Sequence, residues 1–154
     1  MKKLLALITL FAIAYPTAAD ARDLVLVYTL DTGAKTYVWR DSIRRVNQFV
    51  LWTSESVLFD SSGKATRHVL ANYSGDCNEG ITRLLKSKDL LDGFTVEILQ
   101  NQLKITRNGV NVPPVSALIS DFKKFFEPSL VIPGSVGETE LNYVCGKRFV
   151  APSK

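Results

Sequence analysis

Few side chains in this 154-residue chain have the type and spacing to do chemistry. Cys77 and Cys145 are the only thiols, and His68 is the only imidazole. No C-x-x-C or H-x-x-x-H spacing joins them, so neither a zinc site nor a dithiol redox pair is written here. His68 lies in an alternating segment, out of phase with Val69 and Tyr73, and that phase turns it toward solvent or a sheet edge. Glu138 and Glu140 are a candidate acid–base pair. Ser135, however, stands three residues before Glu138 in the S-x-x-E pattern of a capping box, and capping with solvent exposure accounts for both carboxylates. Gly134-Ser135-Val136-Gly137 opens the same element but lacks the lysine and the spacing of a phosphate loop. No catalytic residue, metal site or cofactor is expected, and the chain reads as a non-enzyme.

Two segments could instead bind a partner. Arg40, Arg44 and Arg45 bracket Ser42 and Ile43 beside Trp39, and arginines around an exposed tryptophan suit an acidic or glycan surface. A solvated turn flanked by buried strand aromatics is the plainer account. Phe122-Lys123-Lys124-Phe125-Phe126 is amphipathic and could touch a membrane or a partner, although packing of these phenylalanines explains it as well.

The first residues give an address. Lys2 and Lys3 precede the uncharged apolar run Leu4 to Ala14, which Tyr15-Pro16 breaks before a small-residue site. This is the layout of a cleavable signal peptide over residues 1–19, with cleavage after Ala19 or after Ala21, and the run is too short to span a bilayer. No transmembrane segment is expected after cleavage, and no cysteine follows the run to carry a lipid. The protein is expected in the periplasm, secreted, or at the cell surface. Cleavage leaves 135 residues, enough for one domain, with the net charge reduced from +4 to +2. Lysines and arginines are spread along the chain, so nucleic acid is not an expected partner. In an oxidising compartment two cysteines read as one disulfide, with two free buried thiols as the alternative.

The elements that would carry these residues are mostly strands. Leu24 to Leu30 is a short β-branched-rich run, Asp31-Thr32-Gly33 a turn, and Lys35 to Trp39 the returning strand. Asp41-Ser42-Ile43 interrupts. Gln48 to Phe59 alternates up to the turn cluster Asp60-Ser61-Ser62-Gly63. Ala65 to Cys77 alternates with Val69, Ala71, Tyr73, Gly75 and Cys77 in phase, which puts Cys77 on the core face. Gly80 to Leu85 continues the meander, and Phe94 to Leu99 with Leu103 to Thr106 forms a hairpin. Ser116 to Phe126 has helical spacing. A terminal helix follows Ser135, with Gly137, Leu141, Val144 and Cys145 on one face and Gly146 as its stop. A bridge from Cys77 to Cys145 would staple that helix to the sheet. Residues 149–154 read as a tail.

The succession Tyr37-Val38-Trp39-Arg40-Asp41-Ser42-Ile43, then Asp76-Cys77, then Ile132-Pro133-Gly134-Ser135-Val136-Gly137-Glu138 and Leu141 to Cys145 resembles the surface-adhesin protein E family of small exported bacterial proteins. The resemblance runs from about Val25 to Cys145. It implies an α+β domain over residues 22–148: an antiparallel sheet of about six strands, with a C-terminal helix tied to its concave face by the Cys77–Cys145 pair. Residues 94–126 look longer than the family's norm, which implies an insertion. Binding of host matrix proteins such as laminin and vitronectin is the activity the resemblance implies. An accessory or structural protein of the envelope is the alternative, and a small-ligand carrier or hydrolase a third reading.

Overall fold

The computed structural model describes residues 23–99, 102–113, 124 and 126–146. The expected signal peptide, most of the helical segment 116–126 and the tail lie outside the described residues.

The first strand, β1 (Leu24–Thr29), pairs antiparallel with β2 (Lys35–Trp39) across the predicted turn, where Gly33 adopts φ 83°. A single 3-10 turn, Arg40–Ser42, then interrupts the chain. Ser42 Oγ donates to the Trp39 carbonyl (2.7 Å) and accepts from the Thr53 amide (2.8 Å), which pins this corner to the sheet. The chain re-enters as β3 (Arg44–Val46). The strand β4 (Phe49–Phe59) is therefore long enough to pair with β3 along its first residues and with β2 along its later ones.

Next come β5 (Ala65–Asp76) and β6 (Ile81–Asp89), then β7 (Phe94–Leu99), β8 (Gln102–Arg107) and β9 (Val110–Asn111). Strand β10 (Ser129–Leu130) returns to pair with the start of β6. The order is β1-β2-β4-β5-β6-β7-β8-β9, every pairing antiparallel, with β3 on β4 and β10 on β6. Among the described residues the sheet has ten strands, not about six. Strands β3, β9 and β10 are only two or three residues long, too short to show an alternation of their own. Pairing with a longer neighbour creates them. The predicted 94–106 hairpin is present and extends the same sheet.

The helix α1 (Val136–Cys145) is capped as its sequence predicts. Ser135 Oγ accepts from the Glu138 amide (3.2 Å), and Gly146 closes the helix in the left-handed conformation at φ 67°. The reciprocal half of the box departs from the standard form. The Ser135 amide already donates to the Ile132 carbonyl, so the Glu138 carboxylate accepts from the Gly134 amide at 2.7 Å.

Antiparallel register places facing residues on one side of the sheet. Val38, Val50 and Trp52 lie on one face, buried together with Leu141 and Val144 of α1. The helix can approach because the strand position facing Leu141 is Gly75: a Cβ there would stand 2.7 Å from Leu141 Cδ1 and 3.0 Å from Trp52 Cζ3. Cys77 and Cys145 border this core and form the disulfide, with Cα atoms 5.7 Å apart. The predicted phase of β5 and the staple are both present.

Candidate functional site

The two faces of the sheet differ in kind. Beneath α1 the helix face is filled by Val38, Val50, Trp52, Leu141 and Val144, and the polar side chains there are paired. Glu140, expected in solvent, is 4% exposed. Helical spacing explains the correction, because position 140 lies one turn before the fully buried Val144 and so shares the face turned toward β4. Its carboxylate accepts from Trp52 Nε1 (3.0 Å) and Ser54 Oγ (2.8 Å). Burial pushes the Glu140 carboxyl above the usual carboxylate range, against the pull of these two donors. Tyr73 stacks on Trp52 with ring centroids 5.4 Å apart, and burial, followed by the nearby Glu140 charge, drives its phenol upward too. Glu140 thus fastens the helix to the sheet through hydrogen bonds.

The opposite, open face carries the exposed features. Register aligns Val46, Phe49, Asp76, Ile81 and Leu130 in one row across β3, β4, β5, β6 and β10. Val46 is 66% exposed, Phe49 54% and Leu130 62%, while Leu51, two residues along from Phe49, is 45% exposed. Arg44 faces Leu51 across β3 and β4 and borders this apolar corner.

His68 lies on the open face, in the phase the sequence predicts, but it has a partner. Its Nε2 is 2.5 Å from Glu55 Oε1, and Trp39 Nε1 donates to Glu55 Oε2 at 2.9 Å. Glu55 is 7% exposed. A carboxylate beside His68 is the feature that would favour hydrolytic chemistry. Here the pair stands on the open face of the sheet, and the same Glu55 carboxylate also holds Trp39. Among the described residues no three or more His, Cys, Asp or Glu side chains come together as metal ligands.

The four candidate binding residues do not share one face. Trp39 is held by Glu55 on the open face. Arg40 donates through Nε to the Tyr143 hydroxyl (3.4 Å) and pairs with Asp23 (3.1 Å), and these contacts raise its pKa further. Arg45 points to the helix side and donates through Nη2 to the Val144 carbonyl at the end of α1, where a cation also complements the helix dipole. Arg44, one residue earlier, takes the other side of β3; its Nη1 donates to the Asp41 and Ile43 carbonyls (2.6 and 3.0 Å), leaving its side chain exposed beside Leu51. Adjacent residues on a strand point to opposite faces, so the run of arginines divides. Phe126, from the second candidate segment, is buried at 2% exposure.

Sequence reasoning missed the apolar corner. The signal available was the out-of-phase half of the β4 alternation, Phe49 and Leu51, where a solvated face should carry polar residues. No protein-family model, curated protein or solved structure matches the chain. No helix among the described residues is long and apolar enough to cross a membrane.

Proposed function

We propose that this chain is an exported, non-enzymatic binding protein that engages another protein through the open face of its sheet. Its role would be adhesin-like, as the resemblance to the surface-adhesin protein E family implies. The observation that carries this reading is the apolar corner formed by Val46, Phe49 and Leu51, at 66%, 54% and 45% exposure. Large apolar side chains kept in water forgo burial energy, and a contiguous group with a cationic rim is the usual composition of a protein-docking surface. The Cys77–Cys145 bond supports export, because such bonds persist in oxidising compartments.

The test is binding of the purified protein lacking residues 1–19 to immobilised laminin and vitronectin. A Val46→Ser/Phe49→Ser variant, shown to fold by its near-UV spectrum, is measured beside it. The reading expects saturable binding that the double variant loses, and protease shaving of intact cells should release the protein. Equal binding by the variant refutes the surface. A wholly periplasmic pool that binds neither matrix protein moves the reading to an accessory component of the envelope.

A further inference from the structure

Strand register sorts the charged residues of the sheet unequally between its faces. Lys35, Arg44, Lys86, Lys88 and Lys104 all fall on the open face with Phe49, Leu51 and Glu55. Lys35, Arg44, Lys88 and Lys104 are exposed, and the Lys86 side chain is 43% exposed. The acids on this face are fewer and differently engaged. Glu55 is buried against His68 and Trp39, Asp76 accepts from the Asn78 and Glu79 amides, and Glu97 pairs with Lys86 at 3.0 Å. Lys86, Glu97 and Lys104 stand in one row across β6, β7 and β8, and Lys88 is the next outward residue of β6. Three cations thus surround one acid, two strands away from the apolar corner.

We infer that the partner of the open face is an extended acidic polypeptide segment with an apolar anchor, the anchor seated on Val46, Phe49 and Leu51 and the carboxylates on Lys86, Lys88 and Lys104. This rests on the reading of the open face as a protein-binding surface and adds the chemistry of what it binds. Leu51 and Lys86 are separated by two strand spacings across the sheet and two residues along it, about 12 Å, which an extended chain covers in three or four residues. A segment with that spacing between anchor and acids meets both regions at once. An anionic bilayer is the poorer fit, because Asp76 lies inside the row from Phe49 to Ile81 and its carboxylate would meet a continuous surface of like charge.

The probe is a fluorescein-labelled synthetic peptide, Phe-Leu-Phe followed by three glycines and four glutamates, titrated with the protein lacking residues 1–19 and read by anisotropy. Control peptides carry lysine in place of glutamate or serine in place of the anchor, and heparin and phosphatidylglycerol vesicles are run alongside. Binding of the acidic peptide is expected, weakened about tenfold by Lys88→Glu with Lys104→Glu and progressively by salt, since exposed charges act over a screening length of about 8 Å at physiological ionic strength. The Val46→Ser/Phe49→Ser variant should lose the anchor's contribution while keeping the salt dependence. Unaltered binding by the lysine double variant, equal binding of the lysine peptide, or preference for heparin or vesicles over the acidic peptide would overturn the acidic-segment assignment. Each would leave the protein-binding role to be judged by the matrix-protein assay, whereas loss of matrix binding in the serine variant together with no peptide binding would overturn this inference alone.

Discussion

Replacing both bridge cysteines, Cys77→Ala with Cys145→Ala, isolates what the staple contributes without leaving a free thiol. The bond closes a chain segment of 68 residues. In the chain-entropy model a loop of that length restricts the unfolded ensemble by about 4 kcal/mol at 25 °C. A domain of about 120 residues unfolds with an entropy near 250 cal/mol/K, so that loss lowers the melting midpoint by about 15 °C. Domain stabilities lie at about 5–15 kcal/mol, and the bridge is thus a large fraction of the total. Urea unfolding followed by tryptophan emission reads the change, since Trp52 is buried beneath α1. The unbridged chain should also show a larger slope against denaturant, because its unfolded state is freer to expand. A midpoint unchanged from the parent, in the double variant and in the parent under reductant alike, would refute the argument. It would mean that Leu141, Val144 and the Glu140 hydrogen bonds hold the helix without help from the loop constraint.

Other consequences follow from the same contacts. Glu140 has its folded pKa raised by burial, so its contribution is complete below the unfolded carboxylate pKa and is lost as pH rises through the folded one. Glu140→Gln should remove that part of the pH slope and be the more stable form at neutral pH, whereas Glu140→Leu should cost about 1–3 kcal/mol by orphaning Trp52 Nε1 and Ser54 Oγ; denaturant titrations from pH 4 to 8 distinguish the two. Gly75→Ala forces Leu141 and Trp52 apart and should destabilise by about 1–3 kcal/mol, with a changed near-UV tryptophan signal. Ser135→Ala removes the cap of α1 and should cost about 1 kcal/mol, seen as faster amide exchange at Glu138. Val46→Ser with Phe49→Ser should leave the melting midpoint nearly unchanged, since both side chains are already in water.

Local signals made much of the architecture legible. Strands β1, β2, β4 and β5 and the helix announce themselves through alternation, turn residues and caps, because each signal is read within a few neighbours. Period two alone put Cys77, Gly75 and Tyr73 on one face. The short strands β3, β9 and β10 carry no such signal, since two or three residues become a strand only by pairing with a longer neighbour. The candidate site was less legible. Arg44 and Arg45 are neighbours in sequence, and only the pairing of β3 with β4 sends one to the open face and the other to the end of α1. Glu140 was assigned to solvent because nothing local tells that Trp52 and Ser54, more than eighty residues earlier, supply its donors.

The sequence by itself determined the longer strands, the core phase of β5, the capped helix, and two cysteines placed to meet. These depend on backbone sterics and short-range hydrogen bonding, which act between near neighbours. Only the tertiary structure decided which face is filled and which is left open, because that depends on where the helix lands. With α1 seated over Gly75 and Trp52, the same alternation that buries Val50 and Trp52 leaves Phe49 and Leu51 in water beside Arg44.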